Sequence, residues 1–167
     1  MRSGPIVIAH DGSPSADLAV EEAANLFPKR QALVVTVWEP GPAFDSLGMP
    51  STVLAPLDIR TGLELNRELY ERAQSLAEYV AASAREAGLD ARGLAVVDDA
   101  TIGEAIARTA TERDAPAIVL GAHGHSVLRG VLIGSTTLEV MKHAPCPVVV
   151  VRDPTGPPER HAKGGAR

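Results

Sequence analysis

AIVLGAHGHSVLRGVLIGST, residues 117–136, joins a wholly apolar run to a turn punctuated by glycine and then to Gly134-Ser135-Thr136. The run Ala117-Ile118-Val119-Leu120 shows no polar alternation, which marks a strand buried on both faces, as in a parallel sheet covered by helices. Ser135 follows a glycine and opens a segment carrying Leu138 and Met141, which Pro145 and Pro147 close. A helix is expected there, with Leu138 and Met141 on its apolar side. The stretch thus reads strand, glycine-rich loop, helix N-terminus.

Four further β-rich runs surround it: Ile6–Ala9, Leu33–Trp38, Leu94–Val97 and Val148–Val151. Leu94–Val97 follows the polar lead-in Asp90 to Gly93 and is expected nearer an edge. Helical patterns fill the gaps. Ser13-Pro14 reads as an N-cap followed by proline at the first helical position, and Pro28 stops that helix. The longest helix is expected from about Leu63 to Ala87, with Leu65, Leu69, Leu76 and Val80 as its apolar stripe, alanines filling in, and Gly88 as its C-cap. Thr101 with Glu104 forms a capping box for a helix that buries Ile102, Ile106 and Ala110. Strand and helix alternate throughout, which implies right-handed crossovers and an α/β layered fold.

The segment 39–59 contains four prolines and is expected to be a surface loop or lid. The tail 154–167, rich in Pro, Gly and charge, is expected to be disordered beyond a single domain of residues 1–153.

The 167 residues are 45% hydrophobic, 22% charged and 3% aromatic, with a net charge of −5. A mildly acidic chain with so few aromatics lacks the field and the stacking platforms for nucleic acid. Cys146 is the single cysteine, which excludes an internal disulfide and fits a reducing, cytoplasmic setting. No run approaches the ~20 apolar residues of a membrane span, and the four of Ile6–Ala9 are too few for a signal peptide.

In an open α/β sheet, ligands sit beyond the carboxyl ends of the strands. The first strand ends in Ala9-His10-Asp11-Gly12-Ser13, the second near Val37-Trp38, the fourth in Gly121-Ala122-His123-Gly124. These turns converge if the first and fourth strands are neighbours. Glycines let backbone amides approach an anion, and Ser135 stands at a helix N-terminus, where free amides and the helix dipole favour phosphate. Arg129, within the loop, is a candidate phosphate contact. Asp11 suits an acceptor for an adenine amino group or a ribose hydroxyl. Neither the Walker A loop nor the dinucleotide fingerprint is present.

Gly121, Gly124, Gly134 and Ser135 stand at the spacing Gly-x2-Gly-x9-Gly-(Ser/Thr). With the opening IVIAHDGSPSA and the ending HAPCPVVVVR, the sequence resembles the ATP-binding universal stress proteins over about residues 4 to 152. The resemblance implies a five-stranded parallel sheet of order 3-2-1-4-5 with helices on both faces, Rossmann-like and of the adenine nucleotide alpha hydrolase type. It implies ATP, with or without Mg2+. Ala9, Asp11 and Val37 would then stand at the adenosine end, and Gly121, Gly124, Gly134, Ser135 and Thr136 around ribose and phosphates. It implies a homodimer and a nucleotide-dependent role in stress or dormancy, with an unidentified protein partner. Asp98-Asp99-Ala100-Thr101 departs from the family's Gly-x-Pro before the third helix. In the implied order the last strand, Pro147 to Val151, is an open apolar edge, best covered by the same strand of a second copy, with Val149 near the axis.

Plainer readings stand beside these. The Gly121 loop also reads as a tight turn, and Asp11 as a helix cap. His10, His123 and His125 are alternative metal ligands, Asp98 and Asp99 a solvated turn or a metal pair, Cys146 an inert core thiol. No nucleophile–base–orienter set is legible, so no catalytic residue and no metal site is assigned, and ATP hydrolysis is expected to be slow at most. The alternatives are an adenine-nucleotide hydrolase or transferase on the same fold, and an interaction module that prefers cyclic AMP or uses no nucleotide.

Overall fold

The computed structural model describes residues 2–40, 56–98, 100–123 and 133–152. Five strands, β1 (Ile6–Ala9), β2 (Gln31–Trp38), β3 (Asp90–Val97), β4 (Ile118–Gly121) and β5 (Val148–Val151), form one parallel sheet in the order β3-β2-β1-β4-β5. The helices are α1 (Pro14–Leu26), α2 (Pro56–Glu86), α3 (Ile102–Glu112) and α4 (Ser135–His143). The expected order of elements and of strands is therefore the observed one. The winding reverses between β1 and β4, where Val7 pairs with Ile118 and Ile8 with Val119.

Side chains along a strand alternate between faces, and each face has its own core. Ile6, Ile8, Ala32 and Val34 pack with α1 and α2 through Ala19, Val20, Val80 and Ala84. Val7, Ala9, Val35, Ile118 and Leu120 pack with α3 and α4 through Ile106, Ala110 and Val140. Ile6, Val7, Ile8 and Ile118 are wholly buried. Each such side chain contributes about 1.5–3 kcal/mol of apolar burial. The caps behave as their residue types require. Ser13 Oγ accepts the Ala16 amide at 3.3 Å, and Thr101 Oγ1 accepts the Glu104 amide at 3.2 Å.

Three expectations are corrected. The long helix begins at Pro56, not near Leu63, so the end of the segment expected to be a loop is helical; proline is favoured in a first helical turn. Its stripe holds only in part: Val80 is buried and Leu76 packs against the core. Leu65 is 44% exposed, while Asn66, Ala73, Ala77, Val80, Ala81 and Ala84 are buried. The cause is close approach to the sheet: a Cβ on Gly93 of β3 would lie 2.5 Å from the Ala77 carbonyl carbon, so small residues line the contact. On α4, Thr137 and Val140 are buried and Leu138 and Met141 are more than half exposed. The polar lead-in Asp90 to Gly93 belongs to β3, which is indeed an edge strand.

That edge is closed by side chains. Asp90 and Asp98 donate their amides toward β2, to the carbonyls of Arg30 and Trp38, so the odd-numbered residues of β3 face outward. Gln74 Oε1 accepts the Ala95 amide at 2.8 Å, and Gln74 Nε2 donates to the Gly93 carbonyl at 3.3 Å. Glu78 Oε1 accepts the Gly93 amide at 3.2 Å, and Arg85 Nη1 donates to the Ala91 carbonyl at 2.8 Å. From α3, Arg108 Nη2 donates to the Val97 carbonyl at 3.4 Å. Backbone groups that would recruit another strand are thus taken by α2 and α3.

Candidate functional site

A cleft of about 310 Å³ opens at the carboxyl ends of β1, β2 and β4. Its floor is apolar: Ala9 from β1, Val35 and Val37 from β2, Leu120 from β4. Ile102 and Ile106, one helical turn apart at the start of α3, form one wall. The first turn of α4, from Gly134 through Thr137, forms the other, and Asp11 stands at the rim. The cleft lies on the α3–α4 side of the sheet, at the point where the winding reverses, as the Asp11, Val37 and Gly121 turns required.

The two walls differ in chemistry. At the N-terminus of α1 and of α3 a side-chain oxygen accepts a backbone amide. At α4 the N-cap is Gly134, which makes no side-chain cap bond. The amides of the first turn of α4 and the positive end of its dipole therefore face the cleft without a side-chain acceptor. Thr137 turns inward and donates Oγ1 to the Gly121 carbonyl at 3.1 Å, while the Gly134 amide donates to the Ala122 carbonyl at 2.8 Å. These two bonds fix the start of α4 against the end of β4.

Ala9, Asp11, Val37, Gly121, Gly134, Ser135 and Thr136 all line this one cleft. Gly124, Arg129 and His125 lie outside the described residues, as do Asp99, residues 41–55 and the tail 154–167. The sequence reading missed Val35, Leu120, Ile102, Ile106 and Thr137. Strand alternation places Val35 beside Val37, and the i, i+4 spacing of Ile102 and Ile106 was a usable signal.

Asp11 does more than stand at the rim. Its Oδ1 accepts the Ser13 amide at 3.0 Å and shapes the turn, while Ser13 itself is the cap of α1. Gly12 there has φ 87°, a left-handed conformation that favours glycine. Asp98 Oδ1 accepts the Ala100 amide at 3.1 Å, the solvated-turn arrangement. His10 has both ring nitrogens engaged, by the Gly12 amide and by Asp17. It is not available as a metal ligand, and among the described residues no group of three or more His, Cys, Asp or Glu gathers. Cys146 is only partly buried, against the α3–α4 core rather than inside it. Burial pushes its thiol pKa up, with Arg2 acting in the other direction, which favours the unreactive thiol. Among the described residues no helix is long and apolar enough to cross a membrane.

Comparison with known proteins gives this geometry a lineage. The sequence profile of the Universal stress protein family matches residues 3–152. A universal stress protein of Thermus aquaticus is 31% identical over 149 residues, covering 88% of this chain and 97% of that one. Among solved structures, universal stress protein UspA from Lactobacillus plantarum superposes with a TM-score of 0.65 at 23% identity, over 91% of this chain and 99% of that chain. A universal stress protein in complex with cAMP superposes at 0.57, with 23% identity over 90% and 98% of the two chains. An Arabidopsis thaliana family protein with AMP bound also superposes at 0.57, with 14% identity over 91% and 93%. At those identities the solved structures speak for the fold. The profile and the Thermus relative speak for descent, and the chain belongs to the universal stress protein family.

Proposed function

We propose that this chain binds an adenine nucleotide, ATP in the first place, in the cleft between β1 and β4, and acts as a nucleotide-dependent regulator in stress or dormancy. The observation that carries the reading is the pairing of an apolar slot with the uncapped N-terminus of α4 across the cleft. A flat apolar base fits between the Ala9, Val35 and Val37 floor and the Ile102 and Ile106 wall, while phosphate fits helix amides. Fold neighbours that carry cAMP and AMP support the ligand class.

In this reading Asp11 and Val37, with Ala9, meet the adenosine end. Gly121, Gly134, Ser135 and Thr136 meet ribose and phosphates, joined by Gly124 and Arg129. Mg2+ arriving with ATP would be held chiefly by phosphate oxygens and water, as is usual for that ion. Bound ATP would supply an electrostatic and steric change at the α4 N-terminus. The chain's own residues bind and orient it, and hydrolysis is slow at most, because no nucleophile–base–orienter set is legible in the sequence. The protein works in the cytoplasm as a homodimer through β5, with a further protein partner reading the nucleotide state.

Mass spectrometry of nucleotide released from freshly purified, denatured protein tests the class, and competition between ATP and cAMP tests the choice. ATP released and preferred is the expected result. Release of cAMP, or its preference, would favour the cyclic-nucleotide module. A protein that carries and binds neither would sink the reading.

A further inference from the structure

The turn between β1 and α1 is held by a buried histidine that borders the cleft. His10 is 4% exposed. Its backbone amide donates to the Val35 carbonyl of β2 at 2.9 Å. The Gly12 amide donates to Nδ1 at 3.1 Å, and Nε2 lies 3.0 Å from Asp17 Oδ1 on α1. An amide N–H can only donate, so Nδ1 carries no proton. The neutral ring therefore bears its proton on Nε2, aimed at the Asp17 carboxylate. The two partners settle the tautomer between them.

We propose that His10 is a positioning residue for the cleft: its Nδ1 holds the Gly12 amide, fixes the Asp11-Gly12 turn at the rim, and so sustains nucleotide affinity without touching the phosphates. The turn assignment stands on geometry alone, and only its effect on affinity rests on the nucleotide reading. Removing Nδ1 would leave the Gly12 amide, 3.1 Å away, without its acceptor. Gly12 would be free to swing away, and its left-handed backbone, φ 87°, has no other side-chain acceptor holding it among the bonds of the turn. Asp11, one residue earlier, moves with it. The ring's charged partner is Asp17 from α1. Asp11 turns Oδ1 to the Ser13 amide, and β2 offers the Val35 carbonyl to the His10 backbone.

Two substitutions separate the parts of this device. His10→Asn accepts the Gly12 amide through Oδ1 in an Asx turn and does not titrate. His10→Gln reaches toward Asp17 but cannot also take that amide. In ligand-free protein, NMR at about pH 8 is expected to show an unprotonated Nδ1 and slow Gly12 exchange in the wild type. His10→Asn should keep the slow exchange and His10→Gln lose it.

ATP affinity should be about threefold to tenfold lower in His10→Gln than in the wild type, and near the wild type in His10→Asn, the worth of one hydrogen bond. Gly12 protection, or ATP affinity, as high in His10→Gln as in His10→Asn would overturn the proposal. If His10→Gln does not fold, His10→Ala, which also lacks the acceptor, carries the same comparison. Turn signals as expected, with no nucleotide bound by any variant, would overturn the nucleotide reading and the control of affinity while the turn assignment stood.

Discussion

Gly121 and Gly134 share a motif but are glycines for different reasons. A Cβ on Gly121 would run into Ser15 of α1, whose carbonyl carbon lies 2.8 Å from it. The fold requires that glycine whether or not anything binds. Gly134 has φ −68° and ψ 156°, open to any residue, and the nearest obstacle to a Cβ is the Ala122 carbonyl oxygen at 3.3 Å. What remains to explain Gly134 is its place on the cleft wall. Gly134→Ala should therefore cost less than about 1 kcal/mol of stability, the scale of an N-cap change. ATP binding should weaken about tenfold or more, the loss of one close backbone contact with phosphate. Thermal melts and calorimetric titration read the two effects separately, and unchanged affinity in a folded variant would remove the phosphate role. The motif spacing made Gly134 legible, because amides at a helix start are a backbone property that sequence reveals. The role of His10 was not legible. Its ring meets an amide two residues on and a carboxylate seven residues on, and no periodicity marks such a contact.

At the scale of elements, the strands were readable because burial on both faces leaves unbroken apolar runs, as in Ile6–Ala9 and Val148–Val151. β3 was read short. Its first residues, Asp90 to Gly93, are polar or small because they sit at an edge whose outward groups meet Gln74, Glu78 and Arg85. The same closeness explains why α2 buries alanines while Leu63 and Leu65 remain exposed. A leucine stripe assumes a neighbour at ordinary helix-to-sheet distance, and Gly93 brings the sheet nearer than that. Replacing Gln74, Glu78 and Arg85 together by alanine should reopen the edge. Half-exposed side-chain bonds of this kind sum to about 1–3 kcal/mol, and an uncovered edge recruits other strands. The expected outcome is a lower melting temperature and faster aggregation by light scattering at unchanged ATP affinity. Aggregation no faster than wild type would show that these contacts do not guard β3.

For the whole molecule, the order β3-β2-β1-β4-β5 leaves one edge closed by side chains and the other, β5, without such side-chain bonds among the described residues. Ile118 and Ala122 donate to the carbonyls of Pro147 and Val151, so Val148 and Val150 turn their backbone groups outward. Val150→Pro removes an outward donor, where Val149→Pro would break the ladder to β4. If two copies pair through β5, Val150→Pro should sediment as a monomer at concentrations where the wild type is a dimer. A wild-type monomer, or a dimer indifferent to the proline, would contradict the pairing. The sheet order was legible only through the resemblance, since alternation of strand and helix fixes handedness and not which strands are neighbours. The position of the cleft then followed from the reversal at β1 and β4. That position is the centre of the account, and amide NMR during titration with ATP tests it most directly. The account predicts saturable shifts concentrated at Asp11, Gly121, Gly134, Ser135 and Thr136; saturable shifts confined to another face, or none at all, would contradict it.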